Sequence, residues 1–144
     1  MPDSFWGYSE KEIRKHLAYH LQEAEYDASL VLLGAIEAAF RLDFDYCYTK
    51  KLKDKRSIAV RNLAKDAIAR GVVHSYKIPI TELCELLEHS SSIQKHEITL
   101  LKVYFNYRHW LAHGRYWQLK LGRSKPTFME IYEIAKTLKN LLNS

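Results

Sequence analysis

The sequence has few cysteines, glycines and prolines: two, five and three among 144 residues. Cys47 and Cys84 are too few, and too far from any Cys/His pair of zinc-finger spacing, to form a disulfide framework or a structural zinc site. Glycine and proline are the residues that most often end helices. With 47% hydrophobic and 27% charged residues as well, the composition excludes a disordered chain and predicts a globular, helix-rich protein.

Long apolar runs are also missing. No segment reaches the roughly 18 consecutive apolar residues that a membrane span needs, and residues 1–7 lack the basic and apolar regions of a secretory signal. We therefore expect a cytoplasmic protein with no membrane partner. A length of 144 residues predicts a single domain over residues 1–144.

Positive charge is in modest excess, with a net charge of +5 and a pI near 9.1. Such an excess favours an anionic partner such as RNA, and it serves solubility equally well. Charge alone therefore does not separate a nucleic-acid-binding protein from other soluble proteins.

The first half of the chain predicts three helices. Ser9 and Glu12 have the spacing of a capping box, and the apolar residues that follow recur at helical intervals, which predicts a first helix over residues 9–25. A second helix, apolar on most of its circumference, begins at Asp27, continues through Phe40 and ends within residues 43–48. Residues 50–56 form a basic connection to a third helix over residues 57–70, with Gly71 as its C-cap.

The second half predicts three more helical segments. Pro79 and Thr81 open a short helix that the polar residues 89–92 close. Residues 93–112 form the most apolar helix, which we expect at the centre of the bundle. A loop over residues 114–125 and Pro126 precede a last amphipathic helix. Without β-alternation or repeats, the fold class is all-α, a bundle of about five helices.

Polar side chains cluster at the end of the central apolar helix. Asn106, Arg108, His109 and His113 lie there, and Gly114 follows at once. Burying that many polar groups costs a few kcal/mol unless each finds a partner. The cluster therefore predicts a cleft or a subunit interface.

Residues 107–114 read Tyr-Arg-His-Trp-Leu-Ala-His-Gly. Arg108, four residues and then His113 resemble the Arg-x4-His motif of HEPN domains, and a late apolar helix in a chain of about five helices is similar to those domains too. The resemblance implies a homodimer in which two copies of the motif face each other across a cleft. It also implies RNA cleavage without a metal ion or cofactor.

The residue types suit that chemistry. An imidazole titrates near neutrality, so His113 is the candidate that takes a proton from a ribose 2′-hydroxyl or returns one to the leaving 5′-oxygen. The guanidinium of Arg108 matches phosphate oxygens in a bidentate fork. His109 shares a face with His113 and is a second acid/base candidate. Five residues at about 100° each, however, place Arg108 and His113 about 140° apart on a regular helix.

The loop after the motif supplies candidate RNA contacts. Its cations are suited to phosphates and its aromatic rings to stacked bases. The candidates are Arg115, Tyr116, Trp117, Lys120 and Arg123. Residues 50–56 form a second basic run with the same potential.

The resemblance also suggests a toxin or anti-phage effector with an antitoxin partner. Some HEPN toxins carry His-x-Tyr, whose tyrosine a partner nucleotidyltransferase modifies. This chain reads His113-Gly114-Arg115-Tyr116 instead, with one residue more.

Other interpretations of the polar residues remain open. The motif also suits a non-catalytic HEPN module that binds RNA, a nucleotide or a protein. Glu37 has the i, i+4 spacing for an ion pair with Arg41, and across the bundle it can reach Arg108. His16 and His20, like His109 and His113, have the spacing of two metal ligands. Because no third ligand is near either pair in sequence, we expect no metal site.

Overall fold

The computed structural model describes residues 7–72, 74–115 and 117–143. Within these ranges there is no strand, and the helices contact one another as a bundle, which confirms the predicted all-α fold of about five helices. They are α1 (Glu10–Lys50), α2 (Lys55–Ala69), α3 (Ile80–Ser90), α4 (Lys95–Ala112) and α5 (Phe128–Leu142), with a 3-10 turn (Ser75–Lys77) between α2 and α3.

α1 is one continuous helix of 41 residues. The prediction of two helices with a break near residues 25–27 was therefore wrong, and so was the predicted end at residues 43–48. Tyr26, Leu30 and Leu33 keep the helical spacing of core-facing side chains across the expected break. Asp27 is exposed, and an aspartate inside a helix costs less than about 1 kcal/mol when water solvates its carboxylate.

Several helix ends lie where the sequence predicts them. Ser9 and Glu12 form the predicted capping box at the start of α1. Gly71 follows α2 with a φ of +87°. Its amide donates to the carbonyl of Ile68, and the amide of Val72 donates to that of Ala67. These are the two hydrogen bonds of a Schellman motif, which glycine favours because it adopts positive φ at little cost.

The predicted basic connection is shorter than residues 50–56. Lys50 ends α1, and α2 begins at Lys55 after the N-cap Asp54. Arg56 then lies inside α2, where it forms a 3.1 Å ion pair with Asp43 of α1. Burial raises the pKa of the Asp43 carboxyl, although Arg56 opposes that shift. The pair joins α1 to α2, so this part of the basic run is structural.

α1 packs against α2, α4 and α5, and α4 packs against α1, α3 and α5, whereas α3 packs against α2 and α4. The core is formed by the inward faces of all five helices. Its larger members are Leu33, Ile36, Phe40 and Phe44 of α1, Val60 of α2, Leu83 and Leu87 of α3, Leu101, Tyr104, Phe105 and Tyr107 of α4, and Ile131, Ile134 and Leu138 of α5.

The apolar side chains of α4 lie inside this core. Leu101 and Tyr107 are 0% and 1% exposed, and Trp110 and Leu111 are buried too. Their burial confirms the predicted central position of this helix, and these side chains need no partner chain to cover them. Dimer formation itself stays a prediction. None of the described helices is both long and apolar enough to span a membrane.

The packing of α4 leads to a stability prediction. Leu101→Ala should lower the free energy of unfolding by about 2–5 kcal/mol, because the substitution leaves a cavity in a closely packed core. Leu52→Ala is the matched control, since Leu52 is 48% exposed and its truncation should change stability by no more than about 0.5 kcal/mol. Urea denaturation measures both variants. Equal losses would contradict the assignment of α4 to the core.

Candidate functional site

The end of α4 presents its polar side chains on two different sides. Asn106, His109 and His113 are exposed to solvent, whereas Arg108 is only partly exposed and lies toward α1. The division follows from helix geometry, because residues three or four apart share a face and neighbours in sequence do not. His113 is the C-cap of α4, and its amide still donates to the carbonyl of His109.

Arg108 is held against α1. Its Nη1 lies 3.0 Å from Oε2 of Glu37. Its Nε is 3.9 Å from the position that a Cβ on Gly34 would occupy, and this Nε is buried without a hydrogen-bond partner. The guanidinium thus crosses α1 at its one glycine, where the backbone of α1 is not covered by a side chain.

Glu37 binds two arginines at once. Its Oε1 accepts hydrogen bonds from Nη2 and Nε of Arg41, at 3.0 and 3.2 Å, while its Oε2 pairs with Arg108. Arg41 also donates to the carbonyl of Ile78, at 3.0 Å. Both alternatives considered for Glu37 are therefore present together. One carboxylate faces two guanidiniums, so the cluster keeps one net positive charge beside the motif.

His109 and His113 form an exposed pair of imidazoles. Their ring centroids are 4.2 Å apart, with the rings tilted by 54°. The indole of Trp117 completes a three-ring cluster, 5.8 Å from His109 and 6.4 Å from His113. Trp117 is 38% exposed, so the cluster has a face that a planar base can reach.

Arg108 and His113 do not converge in one chain. Among the residues that the structure describes, no hydrogen bond, ion pair or ring contact joins them, because Arg108 binds Glu37 whereas His113 packs beside His109 and Trp117. The angle of about 140° expected for this spacing accounts for the separation. An anion that contacts both groups must bridge them or contact two copies of the motif.

The loop after α4 is bound to α1 by Arg115. Gly114 and Arg115 have φ values of +84° and +62°, so the chain turns sharply after His113. The guanidinium of Arg115 then makes two 2.8 Å hydrogen bonds to the carboxylate of Glu23 and stacks 4.8 Å from the ring centroid of Tyr26. These hydrogen bonds lower the pKa of Glu23.

A second set of contacts holds the rest of the loop. The indole Nε1 of Trp110 donates to the carbonyl of Trp117, at 2.9 Å. Nζ of Lys125 lies 4.8 Å from the Trp110 ring centroid and donates to the hydroxyl of Tyr26, at 3.2 Å. The hydrogen bond from Trp110 holds Trp117 beside the two histidines.

The candidate RNA contacts in the loop differ in their availability. Lys120 and Arg123 are exposed, as is Trp117. Arg115 is occupied by Glu23, so its charge is already balanced within the chain. Tyr116 lies outside the described residues.

The side chains in the described part of the chain do not indicate a metal site or a reactive thiol. No group of three or more His, Cys, Asp or Glu side chains there is arranged to hold a metal ion. His16 and His20 face each other, with Nδ1 and Nε2 3.3 Å apart. Burial raises the pKa of Cys84 to about 12, which keeps its thiol protonated and unreactive.

Sequence reasoning missed the acidic partners of the motif region. Glu23 lies 92 residues from Arg115 in sequence, and Glu25 accepts a hydrogen bond from the backbone amide of Phe128. Neither contact can be predicted from neighbouring residues in the sequence, since both depend on the path of α1 past the segment between α4 and α5. The one available hint was the run of acidic residues at intervals of two within α1, Glu23, Glu25 and Asp27.

Comparison of the chain with family models, with curated proteins and with solved structures finds no match. The assignment of a function therefore depends on the motif and on the geometry described above.

The Glu37 cluster yields a second prediction. Glu37→Ala should lower the free energy of unfolding by about 1–3 kcal/mol, because it leaves two partly buried arginines without their shared acceptor. Glu10→Ala is the matched control: Glu10 also pairs with an arginine at i+4, but its side chain is 80% exposed, and such pairs contribute about 0.5 kcal/mol or less. Thermal and urea denaturation compare the two. A loss no larger than that of Glu10→Ala would show that the cluster is not structural.

The Glu23–Arg115 pair gives a prediction about pH. Because the pKa of Glu23 is lowered in the folded protein from an ordinary value of 4.5, the pair stabilises the fold above that pH and loses its effect as the pH falls through the lowered value. Wild type should be more stable than Glu23→Gln at neutral pH, and the difference should vanish in acid. Urea titrations across pH measure it, with Glu133→Gln as the exposed control. A difference that does not change with pH would contradict the ion pair.

Proposed function

We propose that the protein is a metal-independent endoribonuclease of the HEPN type, acting on single-stranded or loop RNA. The observation that carries the proposal is the exposed pair of imidazoles, His109 and His113, 4.2 Å apart at the end of the motif helix. Two adjacent imidazoles can supply the base and the acid that RNA cleavage through the 2′-hydroxyl requires.

The reaction balances with groups of the chain and the RNA alone. A neutral imidazole, for which His113 is the candidate, takes the proton of the 2′-hydroxyl as its oxygen bonds to phosphorus. The bond from phosphorus to the 5′-oxygen breaks, and a protonated imidazole, for which His109 is the candidate, gives that oxygen its proton. The products are a 2′,3′-cyclic phosphate and a free 5′-hydroxyl.

Arg108 is the candidate for stabilising the transition state. The phosphorane carries extra negative charge, and a guanidinium binds phosphate oxygens through parallel hydrogen bonds. Arg108 shares its carboxylate partner with Arg41, so the cluster retains positive charge for a phosphate. Because Arg108 and His113 diverge within one chain, the proposal includes a homodimer in which two copies of the motif act on the same RNA.

The exposed groups of the loop would bind the rest of the RNA. Trp117 lies beside both histidines and is the candidate for stacking on a base next to the cleaved phosphate. Lys120 and Arg123 are exposed and suit the phosphates that follow. An activity of this kind in the cytoplasm fits a toxin or anti-phage effector controlled by an antitoxin, or by a nucleotidyltransferase that modifies the chain.

A non-catalytic module that binds RNA, a nucleotide or a protein is the second candidate function. It is favoured by the ion pairs that already occupy the motif region, Arg108 with Glu37 and Arg115 with Glu23. Such a module binds RNA in a mobility-shift assay and leaves it intact.

The proposal is tested by RNA cleavage in excess EDTA on a mixed RNA pool that contains tRNA. We expect wild type to cleave, and His113→Ala to be slower by at least about a hundredfold, the contribution expected of a general acid or base. His96→Ala is the matched control, because His96 is an exposed histidine on the same helix, and it should cleave like wild type.

The cleavage products and the negative results of this assay distinguish between the candidate functions. The 3′ ends should resist ligation until the cyclic phosphate is removed. Intact RNA with wild type, together with a mobility shift, would replace the nuclease with the binding module. Equal cleavage by wild type and His113→Ala would place the activity at another site or in a contaminant.

A further inference from the structure

A cavity of about 660 Å³ lies where the ends of four helices meet. α1, α3 and α5 end beside it, and α2 begins there. Its volume is within the range of sites that bind small molecules. We call it the helix-end cavity, with Tyr46 of α1, Lys55 and Arg56 of α2, Ser92 of the turn after α3 and Asn143 after α5 as its defining residues.

The helix-end cavity lies beside a strongly basic segment. Residues 50–56 carry five cations and a single carboxylate, that of Asp54. The amide and the hydroxyl of Ser57 both donate to this carboxylate, at 3.0 and 2.7 Å. Among the described residues, none of the four lysines of the segment forms an ion pair with a carboxylate. Positive charge beside the cavity is therefore left for an anion.

Arg56 has a donor that no group in the described part of the chain uses. Its Nη2 pairs with Asp43, at 3.1 Å, whereas its Nε is buried without a hydrogen-bond partner. Buried donors of native proteins are nearly always paired, and an unpaired one points to a bound water or ion. Because Arg56 lines the cavity, an anion bound there can share the guanidinium with Asp43.

Another part of the lining is polar and uncharged. Ser90 and Ser91 donate their hydroxyls to carbonyls in the last turns of α3, so their oxygens remain able to accept. The side chains of Ser92 and Asn143 also line the cavity and make no hydrogen bond within the described residues. Donors and acceptors in this arrangement suit the hydroxyl groups of a sugar.

The rest of the lining is apolar. The ring of Tyr46 is 54% exposed, with Nζ of Lys50 5.9 Å from its centroid. Leu52 and Leu142 add aliphatic surface. A mostly apolar lining with a few convergent polar and charged groups is what small-molecule sites have in common.

We propose that the helix-end cavity binds a small organic phosphate ester with a hydroxylated body, a sugar phosphate or a mononucleotide. Lys55 and Arg56 bind the phosphate, and Ser92 and Asn143 bind the hydroxyl groups. The motif lies at the far end of α4, whose 18 residues extend over about 27 Å. The inference therefore does not rest on the proposed ribonuclease activity.

Calorimetric titration of the full chain with ribose 5-phosphate tests the proposal, and amide NMR locates the site. Ribose 5-phosphate should bind at least about tenfold more tightly than ribose or inorganic phosphate, because each of these offers only part of the contacts. The amide signals of Ser57, Ser92 and Asn143 should shift. AMP distinguishes the two ligand types: tighter binding than ribose 5-phosphate assigns a base beside Tyr46, and equal or weaker binding assigns the sugar phosphate.

Lys55→Ala should weaken the binding of ribose 5-phosphate at least about fivefold, because it removes a charge-assisted hydrogen bond. Lys65→Ala is the matched control, since Lys65 is an exposed lysine on the same helix that does not line the cavity. This variant should bind like wild type. Urea denaturation should give the same stability for both variants.

Three results would overturn the proposal. The first is no binding of ribose 5-phosphate or AMP at millimolar concentration. The second is equal weakening by Lys55→Ala and Lys65→Ala, which would reduce the effect to overall charge. The third is a 2′-O-methyl oligoribonucleotide that binds through Lys55 and is not displaced by ribose 5-phosphate, which would make residues 50–56 an RNA contact instead.

Discussion

The burial of α4 against α1 is the packing interaction on which the rest of the structure depends. Leu101, Tyr104 and Tyr107 place one face of α4 inside the bundle. That placement determines where the remaining side chains of the helix can lie. Arg108 must cross α1, where Glu37 accepts it, and His109 and His113 must face solvent. The candidate site is therefore a consequence of core packing at the end of one helix.

α1 supports that packing from the opposite side. Its continuous length brings Glu23 and Tyr26 to the loop after α4 and Glu37 to Arg108, so one helix positions both halves of the candidate site.

Much of the fold follows from local patterns, and the site follows only in part. The capping box at Ser9, the Schellman motif at Gly71 and the helices of the second half have short-range causes, so the sequence predicts them. The merging of two predicted helices into α1 does not, because Asp27 is a weak helix breaker whose effect depends on its exposure. Ion pairs such as Glu23 with Arg115 join residues far apart and depend on packing that local patterns do not contain.

The central claim is that RNA binds at the exposed end of α4. NMR of the histidine and tryptophan side chains, during titration with a 2′-O-methyl oligoribonucleotide that cannot be cleaved, tests it most directly. The account predicts that the ring signals of His109, His113 and Trp117 shift together while those of His16 and His20 stay unchanged, since the latter lie on the first turns of α1. Shifts confined to His16 and His20, or no shift at any ring, would contradict it.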